Sequence, residues 1–134
     1  MKNIFLSFRF TGEDPKKLEH ILGNMKQSLE TAGHKVVCSL FLENYFTEKK
    51  FTNDQIYEYM LEQQRYCHIF MPLIKTHEKS KGMKLESDLA LELRQRYVLA
   101  HKEGVYLPEF HDNAHEYISF SNYPELFGKL LYFR

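Results

Sequence analysis

Apolar positions along this chain switch between a period of two and a helical period, and the switching predicts the layout. Ile4-Phe-Leu-Ser-Phe8 is a short β-rich run that stops before Thr11-Gly12, which predicts a first strand. Asp14-Pro15 then supplies a cap and a first-turn proline. Leu18, Ile21, Leu22, Met25 and Leu29 follow at helical spacing, and Gly33 suits the helix end. Lys35-Val-Val-Cys-Ser39 predicts a second strand, and residues 40–51 a long loop rich in aromatic residues. Thr52-Asn-Asp-Gln55 has the form of a capping box and predicts a helix reaching Arg65. Cys67-His-Ile-Phe-Met71 predicts a third strand with Pro72 at its exit, followed by a polar loop over 74–83. A third long helix is expected from Met83, with Leu85, Leu89 and Leu93 on one side. Tyr97-Val-Leu-Ala100 and Tyr117-Ile-Ser-Phe120 predict two more strands. Asn122 is placed to cap a last helix that carries Leu126, Leu130 and Leu131.

Strands that alternate with helices in this way predict a parallel sheet covered on both faces. With five strands the expected architecture is a flavodoxin-like three-layer α/β/α sandwich of order 2-1-3-4-5. Its length of 134 residues fits one domain spanning 1–134. Eleven Phe and nine Tyr supply the means to build a core. Basic and acidic residues number 18 each, and no basic stripe stands out, which argues against a nucleic-acid partner. The apolar runs are too short to cross a bilayer, so no membrane partner is expected. Met1-Lys-Asn3 leads into the first strand without a signal-peptide pattern, and the expected location is the cytosol. Cys38 and Cys67 each sit in an apolar run and read as buried free thiols.

The 2-1-3-4-5 order opens a crevice at the carboxyl ends of strands one and three. The loop Ser7-Phe-Arg-Phe-Thr-Gly-Glu-Asp14 and the loop from Lys75 to Glu86 meet there. Topology therefore predicts that Arg9, Ser80, Gly82 and Glu86 converge. Arg9 offers a fork of donors suited to phosphate or carboxylate, and Ser7 and Ser80 add hydroxyls. The free N–H groups of a helix beginning near Met83 favour an anion. Glu86, placed in the first turn of that helix, is a candidate nucleophile or base toward an electrophilic carbon. Each of these residues alone fits a structural role; a first-turn Glu also answers the helix dipole.

Ser80-Lys-Gly-Met-Lys-Leu-Glu-Ser-Asp-Leu-Ala90 resembles the S-x-G-x-x-x-E-x-G-x-A signature of the nucleoside 2-deoxyribosyltransferase-like family, with Ser80, Gly82, Glu86 and Ala90 in register. Ile4-Phe-Leu-Ser-Phe-Arg9 is similar to that family's first strand and Ser-x-Arg turn. The resemblance spans roughly residues 3–103. It implies an enzyme in which Glu86 attacks C1′ of a sugar, displaces the base and forms a glycosyl ester that water or a second base resolves. It leans toward the 2′-deoxynucleoside 5′-phosphate N-hydrolase branch. There Ser7, Arg9 and Ser80 would hold the 5′-phosphate of a nucleotide substrate. It also implies a homodimer and no cofactor or metal.

Two positions depart from the family pattern. The family carries an Asp in an Asp-Leu pair on the second helix, and the matching position here is Met60, before Leu61. Methionine exchanges no proton, and helix geometry turns Glu58 and Glu62 to other faces. The second departure is Asp88 in place of a Gly, whose side chain would crowd the site or bring another carboxylate near Glu86 and raise the pKa of one of the pair. Phe5-Leu-Ser-Phe-Arg9 with Gly12-Glu-Asp14 also resembles the opening of TIR domains. That rival implies an NAD-cleaving or non-catalytic nucleotide-binding, signalling module in the same crevice.

Other signals are weaker. His111 and His115 have helical metal-ligand spacing but no evident third ligand, and read as surface histidines. Lys75, Lys79, Lys81 and Lys84 make the second loop basic. Tyr45, Phe46 and Phe51 could stack on a base, cover the core or meet a partner.

Overall fold

The computed structural model describes residues 2–134. Strands β1 (Asn3–Ser7), β2 (Lys35–Val37), β3 (Ile69–Ile74), β4 (Arg96–Lys102) and β5 (Glu116–Phe120) form one parallel sheet of order 2-1-3-4-5. The long helices are α1 (Pro15–Thr31), α3 (Asn53–Arg65), α4 (Lys81–Glu92) and α6 (Tyr123–Leu130). Two short ones, α2 (Glu43–Glu48) and α5 (Pro108–His111), lie in the connections.

Alternation along the strands sorts side chains to two faces. Ile4, Leu6, Ile69, Met71, Val98 and Ala100 meet α1 and α6 on one side. Phe5, Phe70 and Tyr97 meet Met60 of α3 and Ala90 of α4 on the other. Phe70 is the centre of that second layer, 6.3 Å from the Phe5 ring and 4.9 Å from the Tyr97 ring. Small residues let α4 come close to the sheet. Ser87 and Ala90 are buried, and the Ser87 hydroxyl shares a 2.7 Å hydrogen bond with the Tyr97 hydroxyl.

Several local expectations change. Residues 40–51 are not a plain loop but a 3-10 turn at Ser39–Leu42 followed by α2. Phe46 is buried there, and Tyr45, Phe46 and Phe51 pack on one another and on Tyr59 of α3, covering the core. Pro72 is inside β3 and not at its exit. It pairs with Ser7 of β1, and the register with β4 passes from Phe70–Tyr97 to Leu73–Ala100. A strand residue that lacks an N–H is accommodated at that step. Helix α4 starts at Lys81, earlier than expected, because the Ser80 side chain caps it by accepting from the Met83 N–H. Its buried face is Met83, Ser87, Leu89 and Ala90; Leu85 is 51% exposed and outside the core. His111 is buried at the end of α5, and His115 lies beyond that helix, so the pair is neither helical nor jointly on the surface.

Cys38 and Cys67 are free and buried, and burial pushes both thiols up to about 12. No helix of the described residues is long and apolar enough to cross a membrane.

The capping box at α3 is complete: Thr52 accepts from the Gln55 N–H, and the Gln55 side chain accepts from the Thr52 N–H. Thr52→Ala is expected to cost about 1 kcal/mol of stability. Thermal unfolding should show the melting temperature falling by roughly 3–5 °C.

Candidate active site

Glu86 lies where three elements meet. Capping by Ser80 fixes the start of α4 and sets Glu86 in the second turn, not the first. Its side chain points to the end of β1, where the buried Ser7 hydroxyl donates to Glu86 Oε1 at 2.6 Å. Its backbone carbonyl accepts from Gln64 Nε2 of α3 at 2.7 Å. Gln64 in turn pairs with the buried Gln95, which reaches the Gln64 and Cys67 carbonyls. Glu86 is therefore held by side chain and main chain together.

Burial raises the Glu86 carboxyl from 4.5 to about 7, and the Ser7 hydrogen bond works against that rise. Asp88 is not the cause. It is exposed and pairs with Lys84 Nζ at 2.6 Å on the outer side of α4. The extra carboxylate in the sequence is thus turned away from the cleft and neither crowds nor charges it.

The cleft over Glu86 has a volume of about 420 Å³, within the range of small-molecule sites. Phe8, Phe10 and Thr11 form its β1 side, with Ser39 near β2. Asn53, Ile56, Tyr57 and Met60 come from α3. Ser80, Gly82, Met83 and Glu86 come from the start of α4. Met60 is buried in that wall, whereas Glu58 and Glu62 are exposed and do not line it.

Arg9 stands beside the cleft and outside its wall. Its Nη1 donates to the Thr11 carbonyl at 2.6 Å and to Glu78 Oε2 at 2.6 Å, while Nη2 lies 3.7 Å from Glu13. Glu13 also pairs with Lys75. Acidic residues of both loops thus draw Arg9 into an ion cluster, a neighbour that the spacing of the sequence does not reveal. Lys79, Lys81 and Lys84 surround a separate hollow with Leu85 and Glu109. The structure therefore brings Ser80, Gly82, Met60 and Glu86 to one cleft, with Ser7 at its floor through Glu86, and leaves Arg9 and Asp88 out of the wall. No group of three His, Cys, Asp or Glu side chains among the described residues could hold a metal ion.

Tyr57 is a cleft residue that the sequence pattern did not single out. A Cβ on Gly82 would lie 2.9 Å from the Tyr57 hydroxyl, so that tyrosine reaches over α4 only because residue 82 is glycine. The available signal was spacing: Tyr57 is three residues before Met60 and shares its helix face.

Fold and cleft together define a flavodoxin-like domain with a half-buried carboxylate at the switch point of its sheet. No protein-family model matches the sequence, and no curated protein matches it. Solved structures do match the fold. One is CMP N-glycosidase BcmB of Clostridium botulinum, with TM-score 0.70 and 19% identity over 96% of this chain and 98% of that one. Another is a 2-deoxyribosyltransferase from Bacillus psychrosaccharolyticus, with TM-score 0.71 and 21% identity over 96% of this chain and 95% of that one. A response regulator receiver domain protein of Clostridium thermocellum also matches, at TM-score 0.52 and 14% identity over 98% and 94% of the two chains. At these identities the likeness is one of fold, and this fold carries more than one function.

Proposed function

We propose that this domain cleaves the N-glycosidic bond of a nucleoside or nucleoside 5′-monophosphate, with Glu86 as nucleophile. The observation that carries the reading is the half-buried Glu86 carboxylate, held by Ser7 at the mouth of the sheet's switch point. The fold it shares with a CMP N-glycosidase and a 2-deoxyribosyltransferase supports it.

Ser7 binds Oε1 and so leaves Oε2 to attack. In the first step Oε2 bonds to C1′, the C1′–N bond breaks, and its electron pair leaves with the base. In the second step water, or another base, bonds to C1′ and the carboxylate departs with the ester electrons. Water as acceptor makes the reaction hydrolysis; a base makes it transfer. For a phosphorylated substrate, the Ser80 hydroxyl and the free N–H groups opening α4 would bind the anion. Arg9 would join them by exchanging Glu78 for phosphate. Met60 contributes apolar contact and no proton.

The test is base release from deoxynucleoside and ribonucleoside monophosphates, deoxynucleosides and NAD, for wild type and for Glu86→Gln. Release by wild type alone supports the reading and names the substrate. A non-catalytic nucleotide-binding module is the second reading, favoured by Met60 in place of an acid. Binding without release from any of these substrates would select it.

Gly82→Ala separates stability from activity. Alanine is the better helix former, so the melting temperature is expected to hold or rise slightly. The new methyl displaces the Tyr57 hydroxyl from the cleft. Turnover of the cleaved nucleotide is expected to fall roughly ten- to a hundredfold. Unchanged turnover would show that the Tyr57–Gly82 contact is idle.

A further inference from the structure

We propose that Tyr57 is the proton donor to the leaving base, a role that rests on the glycosidase reading above. Displacing a neutral nucleobase leaves an electron pair on a ring nitrogen, and a proton delivered there lowers the barrier. Glu86 cannot supply it while acting as nucleophile. Among the described residues that line the cleft, Glu86 and Tyr57 are the only side chains that titrate. The others are apolar, aliphatic hydroxyls or the Asn53 amide. Met60, one turn along α3 from Tyr57, lines the same wall and carries no ionisable group.

Position supports the assignment. The Tyr57 hydroxyl sits against Gly82, 2.9 Å from where a Cβ would be. Gly82 and Glu86 are one turn apart on the same face of α4, about 6 Å along its axis. Helix side chains lean toward the N-terminus, which brings the Glu86 carboxyl back toward the level of that hydroxyl. The carboxyl and the phenol thus bracket one space, from two helices. Tyr57 is 44% exposed, so its oxygen can exchange protons with water between turnovers.

The steps balance. As Glu86 bonds to C1′ and the C1′–N bond breaks, the phenolic proton passes to the base, which leaves neutral, and Tyr57 is left as phenolate. Water then attacks C1′ of the ester and gives one proton to the phenolate. The sugar leaves with a hydroxyl at C1′, and both Glu86 carboxylate and Tyr57 phenol are restored.

Leaving-group dependence tests the role. The nucleotide or nucleoside cleaved best in the panel is compared with the 4-nitrophenyl glycoside of the same sugar, whose aglycone departs as an anion without a proton. Tyr57→Phe is expected to lower kcat on the former by roughly a hundredfold or more. On the 4-nitrophenyl glycoside the loss should be under about tenfold, because no proton transfer is removed there. Equal losses on both substrates, or no loss on the nucleobase substrate, would overturn the role of Tyr57 and leave the glycosidase reading standing. Failure of the wild type to cleave either substrate would overturn both. Circular dichroism of the variant checks that the fold is intact, since the change removes one partly exposed hydroxyl.

Discussion

Glu86→Gln is expected to reduce base release by roughly a thousandfold or more, the scale of losing a covalent nucleophile. The amide matches the carboxylate in size, and its carbonyl oxygen can still accept the 2.6 Å hydrogen bond from Ser7. The Gln64 contact to the residue 86 carbonyl involves main chain and persists. Geometry is therefore kept while the attacking oxygen loses its charge. Calorimetric titration with the cleaved substrate should show affinity within a few fold of wild type. A parallel collapse of binding would instead mean that Glu86 mainly holds the ligand.

The same residue sets two opposite pH dependences. Burial holds the Glu86 carboxyl at about 7 against 4.5 for the ordinary group, so the folded protein favours the protonated form. Its contribution to stability is complete below pH 4.5 and is lost as pH rises through about 7. Above pH 7 the domain holds a charge in a partly desolvated place at a cost of roughly 3–4 kcal/mol, from about 1.4 kcal/mol for each tenfold change in proton affinity. Glu86→Gln should therefore melt higher than wild type at pH 8, by roughly 10–15 °C, and match it near pH 4.5. Activity runs the other way. The nucleophile works ionised, so kcat/KM should climb tenfold per pH unit below pH 7 and level off above it. A residue that serves only the fold would not lower stability in the pH range where activity is gained. A stability gain in Glu86→Gln that is the same at pH 5 and pH 8 would contradict burial of an ionising carboxylate.

Much of the frame was legible because it rests on short-range pattern. Period-two runs and capped helical runs gave the elements, and five parallel strands left few orders open. The order then predicted which loops meet, which is why the loop that carries Ser7 and Arg9 could be linked to Ser80, Gly82 and Glu86 across some eighty positions of sequence. The differences arose where a tertiary neighbour decides. The charge of Arg9 suits an anion, and in this structure Glu78 and Glu13 pair with it, neighbours that no local pattern shows. Asp88 is close to Glu86 in sequence and turned from it on the helix, where Lys84 takes it. Leu85 fits a helical stripe, yet the close approach of Ser87 and Ala90 to Tyr97 sets the buried face instead. Tyr57 has no distinguishing neighbours in sequence, and only its reach over a glycine on another helix marks it.

The central claim is that Glu86 forms a bond to C1′. The direct measurement is intact and peptide mass spectrometry of protein acid-quenched during turnover of a 2-deoxy-2-fluoro analogue of the cleaved substrate, in which fluorine slows both steps. The account predicts a mass gain equal to one fluoroglycosyl group on the peptide that contains Glu86, and none in Glu86→Gln. An ester on a different residue, or base release by Glu86→Gln at the wild-type rate, would contradict it.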